Sequence, residues 1–232
     1  VTSEVTTTSP LSAPHITRAN IDLVCAGFSP GLVPYERGLE LQEAAVERLS
    51  SSTPDGTLIV LEHEAVYTAG RRSRPEEFPT DGTPVVPVDR GGKVTWHGPG
   101  QLVAYPVVRL RNRFALVDFV RVLEQVIVDV AGDFGVEGVL IDGRTGVWAR
   151  PEGLPAEKFA QIGIRVSEGI VTHGLAINCS NSLAPFKSFV PCGITDAGVT
   201  TLSRLAGRTI APSEVAPRLT ARLTAALTEV TQ

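Results

Sequence analysis

Methionine is absent from this chain of 232 residues, and cysteine occurs three times. With Val at position 1, the missing methionine fits a chain begun at a valine codon. Cys25, Cys179 and Cys192 form no CxxC pair and are odd in number. That argues against a disulfide framework and for free thiols in a reducing compartment. A structural zinc site would need clustered Cys and His, and none is expected here. No run of eighteen apolar residues occurs, which excludes a membrane-spanning helix. Basic excess is missing too: 21 Lys and Arg against 25 Asp and Glu leave a net charge of −4, so nucleic acid is not an expected partner. The first fifteen residues have neither a basic stretch nor an apolar core, so they do not read as a secretory signal. The expected location is the cytoplasm. Seven of the first fourteen residues are Ser or Thr, and residues 1–16 are expected to be a disordered tail.

Common catalytic signatures are also missing. "GFSPG" (27–31) has nucleophile-elbow spacing, but Pro30 follows the serine and has no N–H for an oxyanion. "HEAVY" (63–67) lacks the second histidine of a zinc-protease helix. No phosphate-binding P-loop occurs, and no dinucleotide fingerprint follows a strand.

What is present suits one globular unit: 43% of residues are hydrophobic and 20% charged, with no internal repeat and no long interior linker. The chain is read as a tail (1–16) and a single domain (17–232). Apolar spacing predicts helices over 35–50 and 114–131, the second with a stripe of Leu116, Phe119, Val120, Leu123, Val126, Ile127 and Val130. A third helix is predicted near the C-terminus, where Leu219, Leu223 and Leu227 repeat and Val230 follows. Strands are predicted at "IDLVCAGF", "TLIVLEH", "LVAYPVVRL", "VEGVLI", "TGVWAR", "AQIGIRVS" and "GIVTHGLAIN". The later strands follow one another without crossover helices. This favours an α+β fold, a mixed sheet with helices on one face, over a doubly wound parallel sheet.

Two stretches stand out chemically. "DRGGKVTWHGPGQLVAYP" (89–106) sets Arg90, Lys93 and His97 among Gly91, Gly92, Gly98 and Gly100. Such a segment suits a carbonyl, a phosphate or a pantetheine-like arm, although two glycine-rich turns would account for it as well. The second stretch, 157–202, contains Lys158 and Cys192. Cys192 reads as a packed small hydrophobe or a nucleophile, and Lys158 as a solvated charge or its partner. A nearby ammonium would favour thiolate and lower a cysteine pKa from its ordinary ~8.5.

In this order, "LEHEAVYTAGRR", "DRGGKVTWHGPGQLVAYP", "KFAQIGIR", "THGLAIN", "FVPCGI" and "VTTL" resemble the octanoyltransferases of lipoate biosynthesis over about residues 35–205. The resemblance implies the biotin/lipoate protein ligase catalytic-domain fold, a mixed β-sheet flanked by helices. It implies octanoyl transfer from octanoyl acyl carrier protein to a lysine of lipoyl domains, those of 2-oxoacid dehydrogenase complexes or the glycine cleavage H protein. No cofactor, metal or ATP is implied, and the expected state is a monomer. By resemblance, Cys192 matches the nucleophile and Lys158 its paired lysine. Substrate-binding matches are His63, the segment Arg90, Gly91, Gly92, Lys93, Val94, Thr95, Trp96 and His97, then Gln161, Ile162 and Gly163, and Gly174, Leu175 and Ala176. Gln161 stands where relatives usually carry a small residue, Leu175 replaces a commoner phenylalanine, and Ser182 an aspartate. Arg71, Arg72 and Arg74 suggest a local docking patch for an acidic partner, and equally a solvated loop.

Overall fold

The computed structural model describes residues 20–50, 55–79, 82–110, 116–189 and 197–231. Cys192 and the tail expected at 1–16 lie outside them, as does the start of the helix expected from 114. The frame is an eight-stranded mixed sheet. Its strands are β1 (Ile21–Gly27), β2 (Gly56–Leu61), β6 (Gln101–Arg109), β7 (Val139–Ile141), β8 (Arg144–Ala149), β9 (Glu157–Ser167), β10 (Ile170–Asn178) and β11 (Gly198–Val199). The order runs β1-β2-β6-β10-β9-β8-β7, with β11 beside β9. β1 is parallel to β2 and β11 to β9, and the other pairings are antiparallel. A second sheet, ordered β4-β3-β5, joins β3 (Val66–Ala69), β4 (Val85–Pro87) and β5 (Val94–His97).

Alternation along β6 decides what covers each face. Leu102, Ala104 and Val108 enter a core with α2 (Leu116–Gly132) and α4 (Pro212–Thr231). Val103, Tyr105 and Val107 enter another core with Ala45, Leu41, Val46 and Leu49 of α1 (Tyr35–Ser50). Helices therefore cover both faces, not one. Leu219, Leu223, Leu227 and Val230 of α4 are all buried, as their spacing predicts. The α2 stripe holds from Phe119 onward, but Leu116 is 48% exposed and faces a cavity instead of the core.

Two features of β9 shape that cavity. Trp148 pairs with Lys158 and Val147 with Ala160, so β9 carries an extra residue at this point. Such a bulge resets the alternation of side chains. Phe159 and Ala160 both enter the helix-covered core, while Lys158 and Gln161 both line the cavity. Beyond Ala160 no β8 pairing continues, and Gly91 N–H donates to the Ile164 carbonyl at 3.1 Å. The glycine-rich segment thus docks on the edge of β9.

Candidate active site

A cavity of about 380 Å³ opens where β9, β10, β6 and the 90–97 segment meet. Thirteen of the sequence-derived residues line it: Lys158, Arg90, Gly91, Gly92, Lys93, Thr95, His97, Gln161, Ile162, Gly163, Gly174, Leu175 and Ala176. Three do not. Val94 and Trp96 alternate with Thr95 and His97 along β5, so their side chains turn into a separate core with Tyr67 and Phe186. His63 sits behind the wall, with its Nε2 2.8 Å from the Tyr105 hydroxyl.

Arg90 lines the cavity and also braces its own segment. Its guanidinium donates to the carbonyls of Gly91 and Lys93, at 2.9 Å each, and to the carbonyl and hydroxyl of Thr68, at 2.8 Å each. These bonds tie the glycine-rich segment to β3 and shape the wall. A Cβ on Gly163 would come within 3.0 Å of Arg90 Cδ, which accounts for a glycine there. Lys93 is paired with Glu77. Five cationic side chains line the cavity, from Arg72, Arg90, Lys93, Arg144 and Lys158, and among the described residues no carboxylate does.

Lys158 is buried, and its Nζ lies 5.0 Å from the centre of the Trp148 ring, a cation–π contact. The floor beneath it is Gly146, at φ +108°, where a Cβ would stand 2.5 Å from Lys158 Cε. Gly146 N–H donates at 2.7 Å to Glu124, a buried carboxylate of α2 that also accepts from Arg121 at 2.6 Å. On the opposite side Val199 pairs with Lys158, and Thr200 N–H donates to the Lys158 carbonyl at 3.0 Å. At Gly174 a Cβ would stand 2.1 Å from the Ala104 carbonyl oxygen, so only glycine lets β10 approach β6 there.

Residues 34–224 match the lipoyl protein ligase A/B catalytic domain. Curated relatives called octanoyltransferase include those of Clavibacter sepedonicus, 49% identical over 89% of this chain and 91% of its own. Another, from Arthrobacter sp. (strain FB24), is 50% identical over 83% of this chain and 87% of its own. The chain belongs to the octanoyltransferases of this family. It is an acyltransferase. Among solved structures, the bipartite lipoate protein ligase of Thermoplasma acidophilum superposes with a TM-score of 0.67 at 14% identity, covering 90% of this chain and 84% of its own. Lipoate-protein ligase A bound with ATP gives 0.65 at 15% identity, covering 89% and 85%. At such identities these structures establish the fold, which is the biotin/lipoate ligase fold read from the motifs.

Three histidines surround the cavity, and burial holds all of them neutral. It pulls His63 down to about 4 and His97 to about 3, and it lowers His173 as well. His63 Nδ1 donates to the Val33 carbonyl at 2.9 Å, so its Nε2 accepts from Tyr105. Burial raises Tyr35 to about 12 and pushes Tyr105 up strongly, so both phenols keep their protons. His173 has φ +58°, the left-handed region, and is held by two bonds. Its N–H donates to Gln42 Oε1 at 2.6 Å, and its Nε2 to Asp89 at 3.0 Å. Tyr35, Tyr105 and His173 line the cavity and were not singled out from sequence. For His173 a signal existed, since it immediately precedes Gly174 in "THGLAIN". Gln161 Oε1 is buried without a hydrogen-bond partner. Among the described residues no three His, Cys, Asp or Glu side chains gather as metal ligands. No helix among them is long and apolar enough to cross a membrane.

Proposed function

We propose that this chain, as a monomer whose single catalytic domain spans 17–232, transfers octanoyl from octanoyl acyl carrier protein to lipoyl domains through a thioester on Cys192. The observation that carries this reading is the buried Lys158 at the rim of β9, in the cavity that also gathers the 90–97, 161–163 and 174–176 segments. Cys192 is three residues past Phe189 and six before Gly198. Gly198 and Val199 pair with Glu157 and Lys158. Six extended residues span at most roughly 20 Å, a tether that permits the thiol to approach the Lys158 ammonium, as the proposal requires.

In the first step the Cys192 thiolate, favoured by that ammonium, attacks the thioester carbon. The bond from carbon to the carrier sulfur breaks, and the leaving thiolate takes a proton. In the second step a lysine ε-amine of the lipoyl domain attacks the enzyme thioester. The bond to the Cys192 sulfur breaks, the nitrogen gives up its proton, and an amide remains. No ATP or other cofactor enters, because a thioester is already activated toward an amine. Covalent capture divides one difficult transfer into two easier ones. The octanoyl chain has about six methylenes to bury, worth roughly 5 kcal/mol at ~0.8 kcal/mol each before ordering costs. Leu116 and Val120 supply apolar wall for it, while the cationic lining suits an acidic donor with a phosphate-bearing arm. The free thiols of Cys25 and Cys179 support a cytoplasmic setting for this reaction.

Intact mass tests the route. With octanoyl acyl carrier protein and no ATP, the wild type gains one octanoyl group and Cys192→Ser gains none. Adding a lipoyl domain removes the adduct. A chain that octanoylates only with free octanoate and ATP is a ligase, and the proposal is wrong.

A further inference from the structure

Gln101 and Asn178 are paired across β6 and β10, and neither is exposed to solvent. Asn178 Nδ2 donates to the Thr200 carbonyl at 3.1 Å. A backbone carbonyl only accepts, so the Asn178 amide has one orientation, with Oδ1 toward Gln101. Gln101 Nε2 donates to that oxygen at 2.9 Å and to the Trp96 carbonyl at 3.2 Å. Two acceptors therefore fix the Gln101 amide as well. Its Oε1 lies 2.8 Å from His97 Nδ1, and that nitrogen must carry the imidazole proton.

The other ring nitrogen, Nε2, is then a bare acceptor. It makes no hydrogen bond with any described residue, on a side chain that lines the cavity. The ring cannot turn freely: Tyr35 stacks on it at 6.2 Å and 8°, and His63 lies 6.0 Å away. Nε2 is absent from the buried side-chain atoms that lack a partner, so it is reached from the cavity, where a donor on the substrate can meet it.

We propose that Gln101 and Asn178 are positioning residues that lock His97 with its proton on Nδ1, so that Nε2 accepts a hydrogen bond from an N–H group of the substrate. The proposal rests on the transfer reading above. An octanoyl thioester has no hydrogen-bond donor at its acyl end. An N–H is available from the amide of the carrier arm or from the attacking lysine. The amine has the stronger claim. Its nitrogen becomes cationic as it bonds to the thioester carbon, so a neutral acceptor binds it more tightly in the transition state than before it.

The lock is tested first on the wild type. Long-range ¹H–¹⁵N spectra of the four histidines, with His97 assigned by its loss in His97→Asn, show a protonated Nδ1 and an unprotonated Nε2. The reverse pattern overturns the proposal. Gln101→Glu then replaces the amide with a carboxylate that attracts a second proton onto the ring. The charged or titratable groups facing His97 are His63, Arg90, His173 and Tyr35, and they are unchanged in this variant. Its imidazole protonates at higher pH than that of the wild type, converting Nε2 to a donor. The affected half-reaction slows by about ten- to a hundredfold and gains an acid limb the wild type lacks. Slowed transfer from acyl-enzyme to lipoyl domain assigns the N–H to the lysine. Slowed acyl-enzyme formation assigns it to the carrier arm. An imidazole that switches while both half-reactions keep their rates overturns the proposal. If the wild type forms no acyl-enzyme, the transfer reading fails, whereas the spectra still decide the lock.

Discussion

Replacing Gly146 by alanine tests how Lys158 is held. A Cβ at this position would lie 2.4 Å from the Ala160 carbonyl oxygen, 2.5 Å from Lys158 Cε and 3.1 Å from Nζ. The carbonyl belongs to a paired strand and cannot move without disturbing the bulge. The backbone, at φ +108°, is itself unsuited to a side chain. Backbone strain of this kind costs about 1–3 kcal/mol. Overpacking adds about 1–3 kcal/mol. A loss of about 2–6 kcal/mol is therefore expected, a large part of the roughly 5–15 kcal/mol that stabilises most domains. Gly143 is the control, in the same hairpin at φ +72° but with nothing within 4 Å of where a Cβ would stand. Its alanine variant is expected to cost only about 1–2 kcal/mol. Urea midpoints of the two variants measure the difference. Equal midpoints would refute the claim that the space beneath Lys158 is already full.

Two further outcomes follow from the buried titratable groups. His63 and His97 titrate near 4 and 3 in the folded chain against an ordinary 6.5, so unfolding takes up protons between those values. Stability therefore falls as pH drops from about 6.5, by up to about 1.4 kcal/mol per pH unit for each histidine. Urea midpoints from pH 7 to 4 should show this slope, and His63→Asn should reduce it. An unchanged slope would mean that His63 is not held neutral. Cys179 is buried and its thiol is pushed up to about 12, whereas Cys25 is exposed. An aromatic disulfide reagent should leave Cys179 unlabelled until denaturant is added and label Cys25 without it. Labelling of native Cys179 at the rate of Cys25 would contradict that burial.

Much of the architecture was legible in the sequence because periodicity reports burial. Leu219, Leu223, Leu227 and Val230 mark one face of α4, and "GTLIVL" marks a strand buried along its whole length. Leu116 shows the limit. Its spacing places it on the α2 stripe, but the stripe extends past the core and ends at the cavity. The second helix-covered face was also missed, because an amphipathic pattern states that a helix buries one side without stating against which face of the sheet. At the site, motif matching located most of the lining. It did not separate Thr95 and His97, which face the cavity, from Val94 and Trp96, which do not.

Sequence by itself determined the family, the strands and helices, and the segments that meet at the cavity, because these are carried by local patterns of residue type. Tertiary structure decided the rest. Lys158 and Gln161 are three residues apart, and regular alternation would place them on opposite faces. They share the cavity only because β9 bulges against β8. Arg90 became a brace for its own loop because Thr68, distant in sequence, supplies acceptors. The proton position on His97 depends on Gln101, Asn178, Trp96 and Thr200, drawn from four segments. Hydrogen-bond direction is a property of the assembled network, and no residue in it specifies that direction alone.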